Sequence, residues 1–117
     1  MNLHVLLPAG TGIVLILIAL PLLFRRIGPN GIYGLRIPAT FADEWVWYEA
    51  NAKSARDMCV LGVVLIVLSI AESMPGIPRD IYIPIVGVTT IGGIIIVAIV
   101  GWRRANRLLD GRRRSKS

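Results

Sequence analysis

Two uninterrupted apolar runs limit what this chain can fold into. Val5 to Phe24 is 20 residues without a charge, and Ile81 to Trp102 is 22. As helices they measure about 30 Å or more, enough to cross the hydrocarbon core of a bilayer. A third run, Met58 to Ala71, has only 14 charge-free residues. Ser54, Ala55, Ser73 and Met74 complete it to a span, with Arg56 and Glu72 snorkelling toward the headgroups. The hydrophobic share of 55% fits that reading. The expectation is an all-α membrane protein, one transmembrane domain over 1–117 with spans near 5–24, 54–74 and 81–102.

The first run is expected to remain as a span rather than be cleaved as a signal peptide. No Lys or Arg precedes it, no small-x-small site closes it, and Arg25-Arg26 follows as a stop-transfer pair. Outside the spans, Lys and Arg number zero, five, one and seven in chain order. By the positive-inside rule the N-terminus faces out, the long connection faces the cytoplasm, and the tail at 103–117 is cytoplasmic. The net charge of +6 lies mainly in that tail. Arg-rich tails beside a span fix topology and attract anionic lipid, and the tail lacks aromatic residues to stack on bases. Membrane lipid is the expected partner of the tail, not nucleic acid.

Catalysis finds no support. A single His4 and a single Cys59 make neither a metal cluster nor an internal disulfide, and no cofactor is expected. Asp43 and Glu44 are adjacent, about 100° apart on a helix, which suits capping better than shared acid–base work. No phosphate loop or metalloprotease motif is present in the sequence. Pro8 and Pro21, with Gly10-Thr11-Gly12 between them, predict bends in the first span. Thr89, Gly92 and Gly93 offer a small-residue face for close helix packing.

The connection between the first two spans, 27–53, is denser in signals than a linker requires. Pro29-Asn30-Gly31 is a turn signal, Gly34 permits positive φ, and Pro38 biases Ile37 away from helix. An ordered, non-helical loop is predicted to Ala39, then an interfacial helix capped by Thr40 with Asp43 at N3. Trp47, Asn51, Ser54 and Met58 form one helical stripe into the second span. Trp45, Trp47 and Tyr48 suit the headgroup region. Arg36 is bracketed by residues that fix the backbone. A guanidinium held in that way can clamp the fold internally or capture a carboxylate or phosphate, two uses that the residues leave open.

Pro29-Asn30, Tyr33-Gly34, Arg36, Pro38, Thr40, Trp47 and Asn51 together resemble the signature of the SdpI-type family of bacterial membrane proteins. There a P-N-x-x-Y-G-x-R-T-P-x-T loop precedes a W-x-x-x-N helix. This chain departs at Ile37, where the family usually has threonine. The motif covers about a fifth of the chain and the three-span plan covers the rest. The resemblance implies an inner-membrane protein giving immunity against a secreted, membrane-active peptide toxin. It also implies, for some members, signalling by holding a cytoplasmic repressor at the membrane. The expected mode is binding through the Arg36 loop and the Trp47–Asn51 helix. The alternatives are a structural or accessory subunit of a membrane complex, and an oligomeric pore or transporter. The last is disfavoured because no span carries a mid-membrane charge.

Overall fold

The computed structural model describes residues 3–30, 34–74, 76 and 78–116, with the side chains of 3–5, 79 and 116 left aside. Four helices account for most of them: α1 (Leu3–Leu23), α2 (Pro38–Ala42), α3 (Glu44–Glu72) and α4 (Arg79–Lys116). No strand occurs among the described residues. α1, α3 and α4 are each long and apolar enough to cross a membrane.

α1 continues through Pro8 and Pro21 and closes in a Schellman turn. Arg26 N–H donates to the Pro21 carbonyl at 2.9 Å and Arg25 N–H to that of Leu22 at 3.1 Å. Arg25 takes the left-handed position with φ 57°. Glycine usually fills that position, and a side chain there costs about 1 kcal/mol. Here the side chain makes an ion pair with Glu49 of α3 at 2.5 Å.

The start of the central helix differs from expectation. Thr40 is not an N-cap: it sits inside the short α2, which starts at Pro38 after an extended Ile37. Asp43, also extended, separates α2 from α3 and caps the latter by accepting the Trp45 N–H at 2.9 Å. The Thr40 hydroxyl is occupied by loop backbone, whereas the Asp43 carboxylate turns one oxygen toward the α3 amides. From there α3 runs unbroken for 29 residues, about 44 Å, past Asn51 and Met58.

α3 is the axis on which the other helices pack. α1 crosses it glycine to glycine. A Cβ at Gly12 would lie 2.5 Å from the Gly62 carbonyl oxygen, and one at Gly62 would lie 2.6 Å from that of Gly12. Only bare backbones fit there. α4 approaches through Gly93, against the Leu61 side chain, and Gly101, against Ser54. Thr89 is half-buried, and a Cβ on Gly92 would meet nothing within 4 Å.

α4 is 38 residues long, about 57 Å, so the basic tail is a straight continuation of the last helix. Ala105 and Leu109 bury against Ala39, Val46 and Ala50, forming a small core beyond the apolar runs. Arg104 pairs with Asp57 at 3.1 Å and Arg112 with Asp43 at 3.2 Å. A second cluster joins Ala19 and Leu22 of α1 to Ala55 of α3. Both clusters lie at the charged end of the molecule, where they hold the motif loop between them.

Candidate functional site: the pinned arginine loop

The loop between α1 and α2 is fastened by side chains of α2 and α3. Trp47 is completely buried, and its indole N–H donates to the Ile27 carbonyl at 2.8 Å. It is therefore a pin inside the protein and not a headgroup anchor. An indole can enter a core only where its N–H finds an acceptor, which the loop supplies. Phe41 of α2 tilts against the same ring, centroids 5.5 Å apart. Asn30 closes its own turn by donating to the Gly28 carbonyl at 2.9 Å. Tyr33 lies outside the described residues.

Asn51, 2% exposed, holds the far side of the loop. Its Oδ1 accepts the Leu35 N–H at 2.5 Å, and its Nδ2 donates to the Trp47 carbonyl at 3.0 Å. Gly34 makes this approach possible. Its φ is +103°, and a Cβ would fall 2.8 Å from Asn51 Oδ1 and 3.3 Å from the Trp47 ring. Thr40 Oγ1 lies 2.8 Å from the Leu35 carbonyl and 2.9 Å from that of Ile37, and accepts the Ile37 N–H at 3.1 Å. Pro38 is exposed and occupies the first turn of α2, where no backbone N–H is required. Pro29 is also exposed.

Arg36 stands between the two pinned residues. Asn51 and Thr40 hold Leu35, and Thr40 holds Ile37, while the Arg36 side chain is exposed. The motif thus divides in two. Gly34, Thr40, Trp47 and Asn51 position the backbone, and Arg36 is what that backbone presents.

Beside the loop, a cavity of about 270 Å³ opens between α1 and α4. Gly34, Leu35, Asn51 and Ser54 form its polar end, and Leu22, Met58 and Val97 are among its apolar walls. Of the stripe Trp47, Asn51, Ser54 and Met58 that the helical spacing predicts, the last three line this cavity and Trp47 does not.

Two ion pairs carry no local signal in the sequence. Glu49 meets Arg25, and Arg112 both pairs with Asp43 and lies 5.1 Å over the Trp45 ring. Burial alone raises the Asp43 carboxyl, but the Trp45 N–H and the Arg112 guanidinium outweigh it and hold it below the usual aspartate value. Arg112 is 69 residues from Asp43, so only the fold reveals the pair. Among the described residues, no three His, Cys, Asp or Glu side chains gather as metal ligands.

Three membrane-length helices and a basic loop fastened to the central one define a multi-pass helical membrane protein. More narrowly, the chain belongs to the SdpI/YfhL protein family, whose model matches residues 26–103, about two thirds of its length. That match takes in the motif loop, α2, α3 and the apolar part of α4. Comparison with curated proteins and with solved structures gives no match.

Proposed function

We propose that this protein is an immunity or signal-relay protein of the bacterial cytoplasmic membrane, binding a membrane-active peptide toxin without catalysis. One observation carries the reading. The backbone on both sides of Arg36 is fixed by buried side chains, Arg36 is an exposed residue, and its neighbour Leu35 lines an apolar cavity. A cation serving only to set topology needs no such scaffold. A rigidly presented planar fork suits capture of a carboxylate, and an apolar cavity suits a hydrophobic side chain of the same peptide. Membership of the SdpI/YfhL family supports a membrane role of this kind.

The distribution of basic residues supports an N-terminus outside and a loop, basic helix end and C-terminus inside. In that orientation a peptide embedded in the bilayer reaches Arg36 from the membrane side. A cytoplasmic repressor would meet the end of α4.

The test is survival. Cells with and without the protein are exposed to culture supernatant of the producing strain, and viability and membrane potential are followed. Protection that disappears with the protein supports the reading. Equal survival, together with fixed-stoichiometry copurification of a larger membrane protein, replaces it with the accessory-subunit role.

A further inference from the structure

A second groove, about 320 Å³, runs along the outer junction of α3 and α4 and shares only Val97 with the motif cavity. Val60, Ile96, Val97 and Val100 line its apolar length, and Asp57 and Arg104 close one end. Val60 and Ile96 are about 60% exposed, so this side of the helix pair faces hydrocarbon.

The charged end is chemically incomplete. Arg104 Nη2 donates to Asp57 Oδ2 at 3.1 Å, but its Nη1 is buried and meets no protein acceptor. A covered guanidinium donor left unpaired is costly. Arg56 stands 3.7 Å from the other Asp57 oxygen. Two guanidiniums therefore share one carboxylate, leaving one positive charge at the mouth of an apolar groove.

Depth selects the occupant. Asp57 directly precedes the apolar run of α3, and Arg104 lies two residues beyond that of α4, next to the exposed Trp102. The mouth is therefore level with the membrane boundary. A molecule matching both halves carries one negative charge at headgroup depth and a hydrocarbon chain pointing inward. We propose that this groove binds an anionic glycerophospholipid. A phosphodiester oxygen accepts from Arg104 Nη1, and an acyl chain lies along Val60, Ile96 and Val100. The lipid thereby completes the hydrogen bonding of the ion pair that joins α4 to α3.

The full chain in neutral detergent is tested by native mass spectrometry and thermal melting with added phosphatidylglycerol, phosphatidylcholine or inorganic phosphate. Phosphatidylglycerol is expected to stay bound and raise the melting temperature. Phosphatidylcholine offers the same phosphodiester oxygen but adds a quaternary ammonium that the surplus positive charge at the mouth repels, and should bind about tenfold more weakly. Inorganic phosphate should do nothing. Arg104→Gln should abolish the preference between the two lipids. Because that change also removes the Asp57 pair, Val60→Trp provides an independent arm. It fills the apolar length from an exposed position, keeps both charges, and should reduce phosphatidylglycerol retention similarly. Equal retention of both lipids overturns the proposal. So does undiminished phosphatidylglycerol retention in Val60→Trp, or inorganic phosphate matching the lipid.

Discussion

Asn51 accepts the backbone N–H of Leu35 across 16 residues of chain, while its amide nitrogen donates to the Trp47 carbonyl one turn earlier in its own helix. One buried side chain therefore ties an irregular loop to a regular helix, using its acceptor and its donor at once. Asparagine supplies that combination at this length, with the donor fixing which oxygen faces the loop.

Replacing it is expected to be costly. Asn51→Ala leaves the Leu35 N–H without its partner, for a loss of about 1–3 kcal/mol. Melting in detergent and protease sensitivity of the loop measure this. Asn51→Asp keeps an acceptor but loses the donor and brings a charge into a covered site, so it should do no better than alanine. Parent-like melting of both variants would show that the bond contributes nothing.

Gly34→Ala attacks the same bond from the other side. Its positive φ and the 2.8 Å approach to Asn51 Oδ1 leave no room for a methyl group, and about 1–3 kcal/mol should be lost. Since both changes break one contact, Gly34→Ala combined with Asn51→Ala should cost clearly less than the sum. Strict additivity in a double-mutant cycle would separate the two residues.

Arg36→Lys distinguishes a presented guanidinium from a mere positive charge. The backbone pins are untouched, so melting should fall less than in Asn51→Ala. Protection against toxin should fall almost to the level of Arg36→Ala, because lysine lacks the planar fork. Arg26, exposed and outside the pinned segment, serves as control through Arg26→Lys. Arg25 cannot, because it pairs with Glu49. Full protection by the Arg36→Lys protein removes Arg36 from the site. A collapse in melting instead makes it a clamp.

Asp43 gives the fold a pH dependence of defined sign. Its carboxyl is held below the usual aspartate range, so its contribution is present at neutral pH and above the unfolded-state value. That contribution is lost as the pH falls through the lowered folded value. Between about pH 4 and lower pH, the parent should lose stability that Asp43→Asn never had. Arg112→Gln should weaken the dependence. Parallel melting curves for parent and Asp43→Asn on acidification would rule the contribution out.

Orientation is checked with single cysteines in a Cys59→Ala background. Asn2→Cys and Ser73→Cys should react with an impermeant thiol reagent in intact cells, whereas Asn30→Cys and Ser115→Cys should not. Labelling at position 30 from outside reverses the topology and removes the basis for a cytoplasmic relay.

How far the sequence can be read follows from the range of each interaction. Charge-free runs of 20 and 22 residues identify membrane helices without knowledge of neighbours. Gly34, Pro38 and Asn51 announce a fixed loop because turn chemistry is local. The helix start is ambiguous in sequence because Thr40 and Asp43 both have N-cap side chains, and only the surrounding backbone decides which one caps. Trp47 fits a membrane interface equally well until the Ile27 carbonyl appears beside its N–H. The Gly12–Gly62 crossing and the Asp43–Arg112 pair join distant parts of the chain, and no periodicity encodes them.

The same difference in range orders the assembly of the molecule. The hydrogen bonds from Trp47 and Asn51 to the loop close over 20 and 16 residues, all within the first half of the chain. The bond between Arg112 and Asp43 closes over 69. Short loops close at lower entropic cost, and membrane segments leave the ribosome in order. The arginine loop is therefore set against α3 while α4 is still being synthesised. Arrival of the basic end of α4 at Asp43 follows later, because that contact spans more chain. A ribosome stalled before residue 80 leaves a chain that carries two spans and every residue of the motif, but lacks Ala105 and Leu109 of the outer core.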